Sequence, residues 1–211
     1  ATAYLVRDDR AILVDASYPG NGAAILKAAA DHDIKAGDIS LILVTNGHLD
    51  HFGNASEVKE QMGAPIAMHR IDAKSPKKGA NPPLHPTGIL ARLVLPVLAQ
   101  KGAAQVRRFT ADILIEGEMD LATFSIAGRV IPTPGHTPGP VSVVLSHGQA
   151  IVGDLLMGGV IRRRPYHPWF ADDLDQLRTS IKLLAALSPT RVYCAHSGPF
   201  DLSAISKRLL A

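Results

Sequence analysis

"VTNGHLDHFG", residues 44–53, sets His48, Asp50 and His51 within four consecutive positions. Imidazole nitrogen and carboxylate oxygen are the ligands that suit zinc and similar borderline divalent ions. His48 and Asp50 lie two apart, so an extended or turning loop can aim both into one pocket. His51 follows at once, is turned elsewhere by the entry into a helix, and could serve a second ion. Asn46 stands where a third histidine would complete the pattern His-x-His-x-Asp-His.

The flanks give this cluster a frame. "LILVT" before it is a short apolar run, as expected of a strand buried on both faces. After it, Phe52, Ala55, Val58 and Met62 fall at helical spacing, with Gly63 placed to end the helix. Upstream, "AYLVRDDRAILVDASYPG" reads as two strands around the turn Arg7–Arg10. "NGAAILKAAADH" reads as a helix behind the capping residue Asn21. Downstream, "PIAMH" is another strand. Residues 74–105 interrupt the alternation with "SPKKGANPPLHP" and the apolar run Ile89–Leu98, a lid-like insertion of loop and helix. The second half is predicted to hold short strands around "DILIE", "EMDLA", "FSIAG" and "VIPTP". "VSVVLS" and "AIVGD" then form a hairpin through His147–Gly148. Leu174, Leu177, Ile181 and Leu184 mark a helix with an acidic N-terminus, and "RVYCA" is the last strand. Strands mixed with helices in both halves predict an α/β fold of two mixed β-sheets packed together with helices outside.

Size and composition narrow the function. A chain of 211 residues is most simply one domain, residues 1–211. Its net charge is +3, and the one dense basic run, Arg162–Arg164, reads as a solvated loop, so a nucleic-acid partner is not expected. Cys194 is the only cysteine, which suits a reducing compartment and a cytoplasmic location. No apolar run approaches the ~20 residues of a membrane helix, and no leader segment is read before the first strand. A homo-oligomer is left open.

The remaining candidates lie where predicted strands stop: His136 after "VIPTPG", Asp154 ending "AIVGD", and His196 ending "RVYCA". Strand ends of a rigid sheet let side chains converge with fixed geometry. Taken singly, each has an ordinary reading. His32, His69, His85 and His147 are read as hydrogen-bonded loop residues, and Asp15 or Asp154 alone could be turn residues. The joint order "GHLDHFG", "TPGHTPG", "VGD", "AHSGP", each after a strand, is what points to a metal site.

These motifs, with the opening "YLVRDDRAILVDAS", resemble the metallo-β-lactamase superfamily, close to its glyoxalase II-like hydrolases, over nearly the whole chain. The resemblance implies a four-layer αβ/βα sandwich with a metal site at one edge. By position it implies a first ion held by residue 46, His48 and His136, a second held by Asp50, His51 and His196, and Asp154 bridging. One or two divalent ions follow, zinc first, with iron or manganese as alternatives. Asn46 departs from the pattern, because an amide oxygen is a weaker zinc ligand than imidazole. A related subclass of true metallo-β-lactamases also has Asn there and works with one zinc in the second site.

The chemistry implied is hydrolysis of an activated acyl bond (thioester, lactone or amide) in a small-molecule substrate. An ion with an open position lowers the pKa of its water from about 15.7 to about 7 and polarises a carbonyl. Asp50 is the candidate catalytic group, orienting that water or passing a proton to the leaving group. Several branches of the superfamily are disfavoured. Met157 stands where lactonases place a tyrosine, though Tyr166 could reach back. Persulfide dioxygenases need a histidine at 46, RNA-processing members carry extra domains, and diiron flavoproteins carry a flavodoxin domain. Tyr166, His167, Trp169 and Phe170 beside three arginines could contact a substrate with an anionic group and an apolar part. The alternative is a catalytically weak or inactive family member acting as a binding or regulatory module.

Overall fold

A computed structural model describes residues 1–101, 106–158 and 164–210. The first sheet has five strands in the order β1 (Tyr4–Arg7), β2 (Ala11–Val14), β3 (Ile39–Leu43), β4 (Ile66–His69) and β5 (Ile113–Ile115). β1 runs antiparallel to β2, and the rest are parallel. Helix α1 (Gly22–Asp31) crosses from β2 to β3, and α2 (Leu49–Phe52) with α3 (Ala55–Met62) crosses from β3 to β4. The segment between β4 and β5, read from sequence as an insertion, forms α4 (Lys74–Lys78) and α5 (Ile89–Lys101). The second sheet uses β6 (Met119–Asp120), β7 (Gly128–Pro132), β8 (Val141–Leu145) and β9 (Gln149–Ile151). A two-stranded ribbon, β10 (Met157–Gly158) and β11 (Pro165–Tyr166), precedes α6 (Leu174–Ala186). The sheet is completed by β12 (Arg191–Tyr193) and β13 (Phe200–Asp201), in the order β13-β12-β9-β8-β7-β6, and α7 (Leu202–Ile205) follows.

Alternation along the strands makes the layers. Ala11 and Leu13 of β2, with Ile42 of β3, face the helices, where Ile25, Phe52 and Val58 close a first core. Ile12, Val14, Leu41 and Leu43 face the other way and pack on Val130, Val141, Val143 and Ile151 of the second sheet. Ala150 and Val192 point outward from that sheet against Leu177, Ile181 and Leu184 of α6. Two mixed sheets thus share a central core with helices on both outer faces, the expected αβ/βα sandwich.

Four local expectations are corrected. "RVYCA" is not the last strand, because β13 (Phe200–Asp201) follows and pairs antiparallel with it. "FSIAG" is no strand: Ala122–Phe124 forms a short 3-10 turn, and Ser125 takes a left-handed conformation before β7 begins. "DILIE" forms β5 and pairs parallel with β4, so it closes the first sheet and does not open the second. Asn21 sits at the start of α1 but makes no capping bond, because its amide donates to Ser17 Oγ at 3.0 Å. By contrast, Gly63 ends α3 in the left-handed region as expected. Asp173 caps α6 by accepting from Asp175 N and Gln176 N. No described helix is long and apolar enough to cross a membrane. Of the basic run, Arg162 and Arg163 lie outside the described residues.

Candidate metal centre

Topology brings the candidates to one edge. β2 and β3 are parallel, β9 and β12 are parallel, and β7 runs with β9 because β8 is antiparallel to both. The C-terminal ends of β2, β3, β7, β9 and β12 therefore open on the same rim. They deliver Asp15, His48, His136, Asp154 and His196 there. Backbone bonds lock the seam: Val141 N donates to Thr45 O across the two sheets at 2.9 Å, and Ala195 N to Gly153 O at 2.9 Å.

Six sequence candidates converge in two groups, His48, His136 and Asp154, and Asp50, His51 and His196. In the first, His48 Nδ1 and His136 Nε2 are 2.9 Å apart, and His136 Nε2 is 3.2 Å from Asp154 Oδ2. In the second, His196 Nε2 lies 3.0 Å from Asp50 Oδ2, and His51 Nε2 lies 3.8 Å from it. Asp154 joins the groups, because the same Oδ2 is 3.1 Å from His51 Nε2. His136 Nδ1 is 2.7 Å from Phe170 O, a bond that leaves its Nε2 a free donor of electrons. His51 is held likewise through Nδ1 by Asp15 Oδ2 at 2.8 Å. An imidazole anchored on one nitrogen by an oxygen and presenting the other is the arrangement metal ligands adopt.

Electrostatics follow from burial and charge. Burial lowers the His48 pKa to about 3, helped by the neighbouring His136. Burial also opposes charge on His51, but Asp15, Asp154 and Asp50 outweigh it and raise that pKa well above the ordinary 6.5. Asp154 raises the pKa of His196. Burial pushes Asp50 and Asp154 upward, yet the surrounding histidines hold both carboxyls below the ordinary range.

Does this donor set fit a divalent ion? Asp154 Oδ1 is buried and has no hydrogen-bond partner, its contact with His196 Nε2 being long at 3.5 Å, a costly state for a carboxylate unless a cation meets it more closely. The groups around it are nitrogen and oxygen donors with lone pairs turned inward. They fit. Asn46 does not join them: its Oδ1 accepts from His48 N at 3.0 Å, and its buried Nδ2, a donor with no lone pair to offer, has no partner.

A cavity of about 220 Å³ opens over the two groups. Its floor includes His48, Asp50, His136, Asp154 and His196, and its apolar wall is Leu84, Met157, Pro168, Trp169 and Phe170. Trp169 thus lines the cavity. Tyr166 and His167 are not among the described lining residues. Tyr166 pairs with Met157 in the ribbon and lies 4.1 Å beneath the guanidinium of Arg208. Tyr18 and Asn81 line the cavity instead, and sequence reasoning missed both. Tyr18 sits in a loop that Asn54 gathers by donating to Ala16 O and Tyr18 O at 2.6 Å each. Asn81 accepts from Leu49 N at 2.6 Å, so the insertion touches the first turn of α2. Asp15, readable only as a turn residue, proves to be the anchor of His51.

Known proteins place the chain in a family. The profile of the metallo-beta-lactamase superfamily matches residues 1–196. The chain is 29% identical to the probable metallo-hydrolase YqgX of Bacillus subtilis over 96% of its own length and 87% of that protein's. It is 31% identical to the hydroxyacylglutathione hydrolase of Anaeromyxobacter dehalogenans over 74% of this chain, which spans 45% of that enzyme. In fold it superposes on the TTHA1623 protein, solved in a di-iron-bound form, with a TM-score of 0.71 at 24% identity, covering 98% of this chain and 92% of the other. The chain belongs to the metallo-beta-lactamase superfamily.

Proposed function

We propose that this chain is a metal-dependent hydrolase of an activated acyl bond, a thioester, lactone or amide, in a small molecule. The observation that carries the reading is Asp154: one oxygen shared between His51 and His136 at 3.1 and 3.2 Å, the other buried with no hydrogen bond and 3.5 Å from His196 Nε2, so that one carboxylate faces donors of both groups. In this reading His48, His136 and Asp154 would hold one divalent ion, while Asp50, His51 and His196 would hold a second. Zinc fits the nitrogen-rich donors, and iron, the ion of the fold neighbour described above, stands beside it. Bound there, a divalent ion polarises a carbonyl and lowers the pKa of water to about 7.

The chain's own residues supply the rest. Asp50, held ionised by His51 and His196, accepts a hydrogen bond from the attacking water and orients it. The water oxygen joins the carbonyl carbon, the bond to sulfur, oxygen or nitrogen breaks, and the leaving group departs with a proton. Leu84, Trp169 and Phe170 exclude water from one side and favour a substrate with an apolar part. The insertion, through Asn81 and Leu84, serves as a wall of that site. Resemblance to hydroxyacylglutathione hydrolases supports a thioester first.

The test is a screen of thioesters, lactones, a chromogenic β-lactam and a phosphodiester, each with and without chelator. Chelator-sensitive turnover of an acyl substrate is expected. Asn46, which presents no lone pair to the first ion, favours a second reading, a weak or inactive member acting as a metal-stabilised binding module. Silence on every substrate with full ion loading would select it.

A further inference from the structure

Asp72 lies outside both candidate ion groups and outside the cavity, yet the two loops that carry His48 and His136 hang on it. It follows β4 by three positions, in the turn that Ala73 N closes on His69 O at 3.0 Å. β4 is the parallel neighbour of β3, so this turn stands beside the loop carrying His48. Asp72 is buried, and three donors converge on its carboxylate. Gly47 N reaches Oδ2 at 2.8 Å, Thr137 Oγ1 reaches the same oxygen at 2.5 Å, and Gly139 N reaches Oδ1 at 3.0 Å. Gly47 immediately precedes His48, and Thr137 immediately follows His136. One side chain of the first sheet's edge thereby holds a ligand loop from each sheet.

Steric detail shows how close that approach is. A Cβ on Gly47 would lie 3.2 Å from the Asp72 carbonyl oxygen, and one on Gly139 would lie 2.9 Å from Asp72 Oδ1 and 2.5 Å from His69 Nδ1. A larger residue at 139 would force the loop away from Asp72, and one at 47 would make its neighbours give by a few tenths of an ångström. All three partners of Asp72 are donors, so a carboxylate satisfies them and an amide would set its own NH2 against one of them.

We propose that Asp72 is the positioning residue for the His48–His136 pair, fixing the two imidazole nitrogens at the 2.9 Å separation observed, while Asp15 does the same for His51. The two halves of the metal centre are thus oriented by separate buried carboxylates and can be disturbed one at a time. The proposal rests on the metal-dependent reading above. It differs from a general structural role, which would weaken both ion sites together with the fold.

The experiment compares Asp72→Asn, Thr137→Val and Thr137→Ser with the natural protein, each stripped by chelator, and titrates them with Zn²⁺ by calorimetry. Asp72→Asn is expected to weaken the step belonging to His48 and His136 by roughly 10–100-fold, the usual effect of losing a group behind a metal ligand. The step of Asp50, His51 and His196 should stay unchanged. Thr137→Val should act in the same direction more weakly, and Thr137→Ser, which keeps the hydroxyl, should behave as the natural protein. Crystal structures of the ion-free proteins give an independent readout, in which the His48–His136 separation opens in Asp72→Asn. An unchanged separation, or equal weakening of both steps, would overturn the proposal. No Zn²⁺ uptake by the natural protein would instead overturn the metal-dependent reading, and the ion-free structures would still decide the role of Asp72.

Discussion

In the proposed two-ion centre, position 46 would set the balance between the sites. Asn46 Oδ1 is engaged by His48 N, so the amide turns the loop and offers the first site nothing. Asn46→His should add an imidazole there and tighten the weaker Zn²⁺ step roughly tenfold or more, read by the same titration; no change would mean that residue 46 is not at the ion. His85 is poorly placed to substitute, because it is committed to Asp172 at 2.7 Å. Asp15 is the counterpart. Its backbone is left-handed, φ 63°, a conformation Asp and Asn tolerate better than most residues. Its carboxylate takes Thr45 N, Thr45 Oγ1 and His51 Nδ1 at 2.7, 2.9 and 2.8 Å. Asp15→Asn keeps the backbone and removes the charge behind His51, so the step of Asp50, His51 and His196 should weaken by roughly 10–100-fold. Loss of the other step instead would reverse the assignment of sites.

Among elements, the wall of the cavity is built by two segments far apart in sequence. Thr87 N donates to Trp169 O at 2.8 Å, Ala171 N to His85 O at 2.9 Å, and Pro86 bridges Phe170. Residues 85–87 of the insertion thus pair with 168–171, and the same strap accepts from His136 through Phe170 O. Because backbone bonds hold it, Trp169→Ala should leave the strap in place and remove only the indole. The expected result is natural ion content with KM for an apolar acyl substrate raised roughly three- to tenfold, the worth of one aromatic contact. A fall in ion content would show that the indole holds the site together and does not merely face the substrate. The strands and major helices around this wall were legible because their apolar periods are long. "FSIAG" was not, since its short alternation fits a strand as well as the turn that Ser125 makes, and propensity alone does not separate the two.

For the whole molecule, ions and protons compete for the same buried groups. Without an ion, His51 and His196 carry raised pKa values through Asp15, Asp154 and Asp50. A raised value means that the folded state holds a proton the unfolded chain has released. That stabilisation is complete below the ordinary 6.5 and is lost as pH climbs through the raised values. Chelated protein should therefore lose stability as pH climbs above the ordinary 6.5 and through the raised values of His51 and His196, measured by urea unfolding. Loaded protein should not, because the ion replaces those protons. A chelated curve that rises over this range would contradict the ion-pair scheme. At any one pH, free Zn²⁺ at 100 times its Kd should add about 2.7 kcal/mol to the unfolding free energy.

The order of motifs along the chain determined the fold family and the six converging residues, because each motif couples a buried strand to donors at its end. That coupling is local, and local patterns survive in a linear string. Tertiary structure alone decided which side chains stand behind the donors. Asp15 meets His51 across thirty-six positions, Asp72 meets Thr137 across sixty-five, and Tyr18 and Asn81 come from two distant segments to one cavity. A hydrogen bond between distant residues leaves no period in the sequence, so these partners appear only once the two sheets are packed.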